Sequence, residues 1–120
     1  MSRPVPLALW LGSALLMPAA WVFGAEAKPD PARVEFFESK VRPLLVAQCQ
    51  GCHGSERQKA GLRLDSRAAV LRGGDSGPAI QPGDPDGSRL IEAVRYDGDV
   101  QMPPKRKLAE AEIEVLRRWI

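Results

Sequence analysis

Both cysteines and the only histidine of this 120-residue chain fall inside five consecutive positions, Cys49, Cys52 and His53 of the stretch "AQCQGCHGS". Any fold must be built around that cluster. The rest of the chain offers few competing constraints. Aromatic residues make up 6%, and eleven prolines and eleven glycines point to short elements joined by loops. Hydrophobic (44%) and charged (27%) fractions are those of an ordinary globular protein, and the length suits one domain. A net charge of +2, with no basic run interleaved with aromatics, does not point to nucleic acid.

The first residues read as a targeting segment. Arg3 precedes an apolar run from about Leu7 to Ala25, and Ala25-Glu26-Ala27 is a small-x-small site. A signal peptide over 1–27, cleaved before Lys28, is therefore expected. The competing reading is an uncleaved membrane anchor, since the run approaches bilayer-spanning length, although Pro18 and two tryptophans interrupt it. Both readings export the remaining chain to the periplasm or an equivalent extracytoplasmic space. Residues 28–33 follow as a charged, proline-bearing linker.

Two exported cysteines have a default use, a disulfide, and a Cys-x-x-Cys pair can also be redox-active. Neither use requires His53, and redox pairs usually sit in a βαβ context that this chain does not display. A closed zinc site wants four ligands, typically from two paired motifs, and only three candidates are present. The third option uses all three residues. Cys-x-x-Cys-His is the attachment signature of c-type haem. Cys49 and Cys52 would each add to one porphyrin vinyl group, and His53 would supply a nitrogen to the iron. This reading is favoured, with the disulfide and metal readings still open.

A haem held by His53 alone leaves one face of the iron open. The segment after the signal contains one methionine, Met102, in "VQMPPKRK". Its thioether is a soft ligand that favours ferrous iron and raises the reduction potential. Pro103 and Pro104 fix φ and remove two backbone donors, which stiffens a ligand loop. A lone methionine is also a common core filler. Its exclusivity and its Pro-Pro context favour ligation.

Apolar positions Val34, Phe37, Val41, Leu44 and Leu45 have helical spacing, with Pro43 predicting a kink or two abutting helices. This helix delivers Cys49. A short helix "RAAVLR" is expected after Asp65 or Ser66, closed by Gly73-Gly74. Asp86 is expected to cap a helix through "SRLIEAVRY" that buries Leu90, Ile91 and Val94. The last helix, "AEAEIEVLRRWI", turns Ile113, Leu116 and Ile120 inward. The chain stops at Ile120 without a C-cap glycine, which reads as a truncated sequence or the first piece of a longer protein. No strand alternation or internal repeat appears. "GDPDGS" fails as a calcium loop because arginines fall at the glycine and bidentate-glutamate positions. "GGDSG" follows no strand, so nucleotide binding is not expected. The fold class is all-α: three to five short helices and long loops around one cofactor.

Together, "FFESKVRPLLVAQCQGCHG", "AGLRLDSRAAVLRGGDSGPAIQPGDPDGSRLIEAVRY" and "QMPPKRKLAEAEIEVLRRWI" resemble the planctomycete-type cytochrome c domain, a class I-like mono-haem cytochrome c. The resemblance spans residues 34–120. It implies one covalent haem c, thioethers at Cys49 and Cys52, and axial bonds from His53 and Met102. It also implies that Gly77-Pro78 matches the glycine-proline of class I cytochromes, where the proline carbonyl accepts a hydrogen bond from the ligand histidine; Pro78 is the candidate here. Ala109 departs from the serine or threonine that the family tends to place before the last helix.

The function expected is one-electron transfer in an exported compartment, without catalysis. A redox partner protein or a fused downstream domain would exchange the electron, and Lys105, Arg106 and Lys107 could steer an acidic partner. A membrane is involved only if the N-terminal segment is a retained anchor. The rival is a haem sensor or catalytic site, which needs Met102 displaced. No second histidine or acid–base residue near the motif favours it.

Overall fold

The computed structural model describes residues 27–120. The predicted signal segment, but for its last residue, lies outside them. The first helix starts earlier than the linker reading allows. Asp30 caps it, its carboxylate accepting from the Ala32 N–H at 3.0 Å, and Pro31 opens it where no backbone donor is needed. Helix α1 spans Pro31–Phe36 and runs on through a π-helical turn, Phe37–Val41, into α2, Arg42–Gln48. In the π turn the Arg42 N–H reaches back five residues to Phe37 O. The wider turn comes just before Pro43, whose ring and missing N–H a regular helix would not accommodate. The kink expected at Pro43 is thus made one turn upstream.

That turn also corrects one core assignment. Val41 and Leu45 are buried and Phe37 and Leu44 pack against the core, but Val34 is 44% exposed. An extra residue per turn shifts everything before it off the regular helical period, so Val34 swings outward.

Helix α3, Arg67–Arg72, is capped by Ser66, whose Oγ accepts from the Ala69 N–H at 3.2 Å. It ends at Gly73 with φ 74°, where a Cβ would stand 1.9 Å from Gly77 O, so no other residue fits. Helix α4, Arg89–Arg95, does not begin at Asp86. Ser88 is its N-cap, yet its hydroxyl turns inward, donating to Asp84 O at 2.7 Å and accepting from the Gln81 N–H at 2.9 Å. Asp86 instead accepts from Arg117 of the last helix at 2.6 Å, with Arg95 at 3.5 Å. The two arginines compete with the helix terminus for this carboxylate. Helix α5, Glu110–Trp119, has only half a capping box, because Ala109 has no side-chain acceptor. The Glu112 carboxylate still accepts from the Ala109 N–H at 2.9 Å.

The core forms where α5 crosses the π turn and α4. Leu45, Ile91, Ile113, Leu116 and Val41 are its largest fully buried residues, joined by Leu64, Ile80 and Leu108 from the loops. Phe37 and Trp119 close one end, their ring centres 5.7 Å apart. Ile120 packs against this core, and its carbonyl accepts from the Gly83 N–H at 2.8 Å. Among the described residues no strand forms, only two isolated bridges, and no helix is long and apolar enough to cross a membrane.

Leu116→Ala should cost about 2–5 kcal/mol, read from the denaturant midpoint, because the side chain is fully enclosed. The Arg117 hydrogen bond holds the Asp86 carboxyl below its usual range. A carboxylate depressed on folding stabilises above its unfolded pKa and stops doing so as pH falls through its folded value. Asp86→Asn should therefore be less stable than wild type at neutral pH. The gap should shrink once pH drops below about 4 and close in stronger acid, as urea midpoints across pH would show.

Candidate functional site

The motif sits where α2 stops. Cys49 leaves helical geometry, with φ −125°, while its N–H still bonds to Leu45 O at 2.9 Å. One further turn follows: the Cys52 N–H donates to Cys49 O at 3.2 Å and the His53 N–H to the same oxygen at 3.0 Å. Positions i, i+3 and i+4 of such a turn share a face. The two-residue gap thus places both Cys52 and His53 one turn on from Cys49, with their N–H groups on its carbonyl.

The chain then folds back over the turn. Gly54 N–H bonds to Arg57 O at 2.7 Å, Lys59 N–H to Cys52 O at 3.1 Å and Leu64 N–H to His53 O at 2.8 Å. Gln50, inside the motif, donates its side-chain amide to Leu64 O at 3.1 Å. The Leu64–His53 bond sets the register of this return, so the Leu62 carbonyl arrives beside the histidine ring. His53 is buried, and its Nδ1 lies 3.3 Å from Leu62 O. A carbonyl can only accept, so Nδ1 carries the proton in this contact and Nε2 is left with a lone pair for a metal. The partner expected from the resemblance was Pro78. In this structure Pro78 is exposed, and the carbonyl facing the ring belongs to Leu62.

Gly77-Pro78 has a different place. Gly74 and Gly77 exchange hydrogen bonds at 3.1 and 2.9 Å, and the Asp75 N–H reaches Ala60 O at 2.9 Å. The loop holding Pro78 is thereby laced to the loop that returns over His53.

The thiols of Cys49 and Cys52 are not joined in a disulfide. Burial pushes the Cys49 thiol up to about 11. A redox-active Cys-x-x-Cys nucleophile needs the opposite, a lowered pKa. Two free thiols and one histidine with a single nitrogen left open, within one turn, suit thioether attachment and axial ligation of a haem.

Met102 lies on a separate strap. It is half-buried, and its N–H donates to Ala93 O at 3.0 Å, tying the strap to the end of α4. The Met102–Pro103 peptide is cis. The Tyr96 hydroxyl donates to the Pro103 carbonyl. Neither Tyr96 nor the Leu62 carbonyl is apparent from motif reading. The first leaves one signal in the sequence, as the sole tyrosine, six positions before Met102. The second leaves none, because any residue supplies a carbonyl. Beyond the strap, Lys105 and Arg106 are exposed, and Lys107 pairs with Glu110 at 3.6 Å.

Short helices around a histidine-bearing Cys-x-x-Cys turn make this an all-α, cytochrome c-like fold. Residues 49–106 match the family model described as Planctomycete cytochrome C. The match runs from Cys49 through the Met102 strap and contains α3 and α4, while α1, α2 and α5 flank it. No curated protein and no solved structure matches the chain significantly. That match supports a haem-binding, electron-transfer role at the coarse level and implies haem c as the cofactor. Cytochrome c domains are usually extracytoplasmic.

The turn sets unequal demands on its two glycines. A Cβ on Gly54 would meet Gln50 O at 2.6 Å, whereas one on Gly51 would meet nothing within 4 Å. Gly54→Ala should cost about 1–3 kcal/mol and Gly51→Ala within about 0.5 kcal/mol, compared by thermal unfolding of the haem-loaded proteins.

Proposed function

We propose that this chain is a mono-haem c-type electron carrier with the iron ligated by His53 and Met102 and the haem held through thioethers at Cys49 and Cys52. The observation that supports the reading is the turn at the end of α2, which holds two free cysteines and a buried, carbonyl-tied histidine within one helical turn. Bound there, haem c supplies a one-electron ferric–ferrous couple. Leu62 O orients the histidine and keeps Nδ1 protonated, which raises the basicity of the ligating nitrogen. Met102 would supply the second protein ligand, a soft sulfur that favours the reduced state. With His53 and Met102 both holding the iron, no open site would be left for substrate, which favours electron transfer over catalysis.

The compartment in this reading is the periplasm or an equivalent exported space, reached through the segment 1–27. The partner is a redox protein or a downstream domain of a longer chain. Lys105 and Arg106, exposed beside the ligand strap, favour an acidic contact surface on that partner.

The test is Met102→Ala in protein made in a host that attaches c-type haem. Wild type should be low-spin, with the weak far-red band of ferric iron–sulfur ligation. The variant should lose that band entirely, bind carbon monoxide readily and show a lower reduction potential. A wild type that is already high-spin, or a variant with an unchanged spectrum, would refute Met102 ligation and favour a sensor or catalytic site with an open distal face.

A further inference from the structure

Met102 is followed by two prolines, so the strap has carbonyls but no backbone donor until Lys105. Such a segment cannot tether itself through its own N–H groups on that side. A donor must come from elsewhere, and one side chain supplies it. Tyr96 ends α4 in the left-handed region, φ 62° and ψ 32°, a conformation that residues other than glycine seldom adopt. Its N–H still closes the helix onto Ala93 O and Glu92 O. The reversal turns the chain towards the strap, where the half-buried phenol donates its hydroxyl to Pro103 O. On the other side of the sulfur-bearing residue, the Met102 N–H is held by Ala93 O. The methionine is thus pinned before and after its side chain, both times to the last turn of α4.

We propose that Tyr96 is a positioning residue for Met102: its hydroxyl bond to Pro103 keeps the strap closed, and so sets how readily the sulfur leaves the iron. This rests on the reading of Met102 as the axial ligand. Tyr96 touches neither cofactor nor reacting atoms in this account. It acts through the backbone on which Met102 is carried. The left-handed backbone at Tyr96 is explained on the same terms, because a helix continuing regularly from Arg95 would carry the ring away from the strap.

The test is Tyr96→Phe in the haem-loaded protein, which removes one oxygen and keeps the ring. A neutral hydrogen bond is worth a factor of about 5 in an equilibrium. The far-red ligation band should persist at neutral pH but disappear at lower guanidinium than in wild type. Carbon monoxide should bind the ferrous protein about fivefold faster, since it enters only when the sulfur is away. The helix signal in far-UV circular dichroism should move less than the ligation band. If band and helix signal shift together, or neither the band nor the carbon monoxide rate changes, Tyr96 is structural only and the proposal fails. Met102→Ala separates the two levels. If that variant keeps the band, the ligation reading has failed; if it loses the band while Tyr96→Phe behaves as wild type, this proposal alone has failed. Should Tyr96→Phe not yield folded holoprotein, proton NMR of ferrous wild type decides. The hydroxyl proton of the single tyrosine should exchange slowly with solvent, and rapid exchange overturns the proposal.

Discussion

His53 donates its backbone N–H to the carbonyl of Cys49 at 3.0 Å, and the chemistry of the site depends on that bond. It closes one helical turn beyond the end of α2, and so gathers two thiols and an imidazole that would otherwise fan out along a loop. The turn has little strength of its own, because a single helical turn is a costly nucleus. It persists because both of its ends are held. Upstream, α2 feeds Cys49 and Gln50 onto the Leu45 carbonyl, and Leu45 is buried in the core. Downstream, the returning loop docks on Cys52, His53 and Gln50 through backbone and amide bonds.

The helical framework serves that arrangement. α5 packs on the π turn and on α4, so the helix that leads into the motif and the helix that ends at the Met102 strap share one partner. The Asp86–Arg117 ion pair adds a polar link between α5 and the loop before α4. The Asp86 side chain is mostly exposed, so the pair contributes far less than the enclosed Leu116 and Ile113. The hydrophobic crossing positions the site, and the charges trim it.

Much of this was legible in the sequence because it rests on local periodicity and local chemistry. The Cys49, Cys52 and His53 cluster, the Ser66 cap, the Gly73 stop and the inward faces of α4 and α5 all follow from spacings of a few residues. The failures are tertiary. Asp86 is a good helix cap by type, but Arg117 lies thirty-one positions away in sequence and competes for it. Val34 fits the apolar period of a regular helix, and the π turn before Pro43 breaks that period. The partner of His53 was assigned to Pro78 by resemblance. Register decides otherwise, since the Leu64–His53 bond brings a backbone carbonyl to the ring, and backbone carbonyls carry no sequence signature.

The two halves of the candidate ligand set are built to different stiffness. His53 is buried, its N–H, its carbonyl and its ring nitrogen are all engaged, and its neighbours in the motif are held from both sides. Met102 is half-buried on a strap with one backbone bond of its own and one borrowed from Tyr96. In an electron carrier this asymmetry has a use. On the proposed reading, a nitrogen ligand and covalent links would need a fixed frame, because they would define where the cofactor sits. A thioether ligand would be weak, and on that reading the cost of opening the strap would set its effective strength. Two prolines lower the entropy that the strap loses on closing, and a single phenol supplies the donor those prolines lack. The groups that would hold the methionine strap therefore lie at the end of α4, the Ala93 carbonyl and the Tyr96 hydroxyl, and α4 carries none of the candidate ligands.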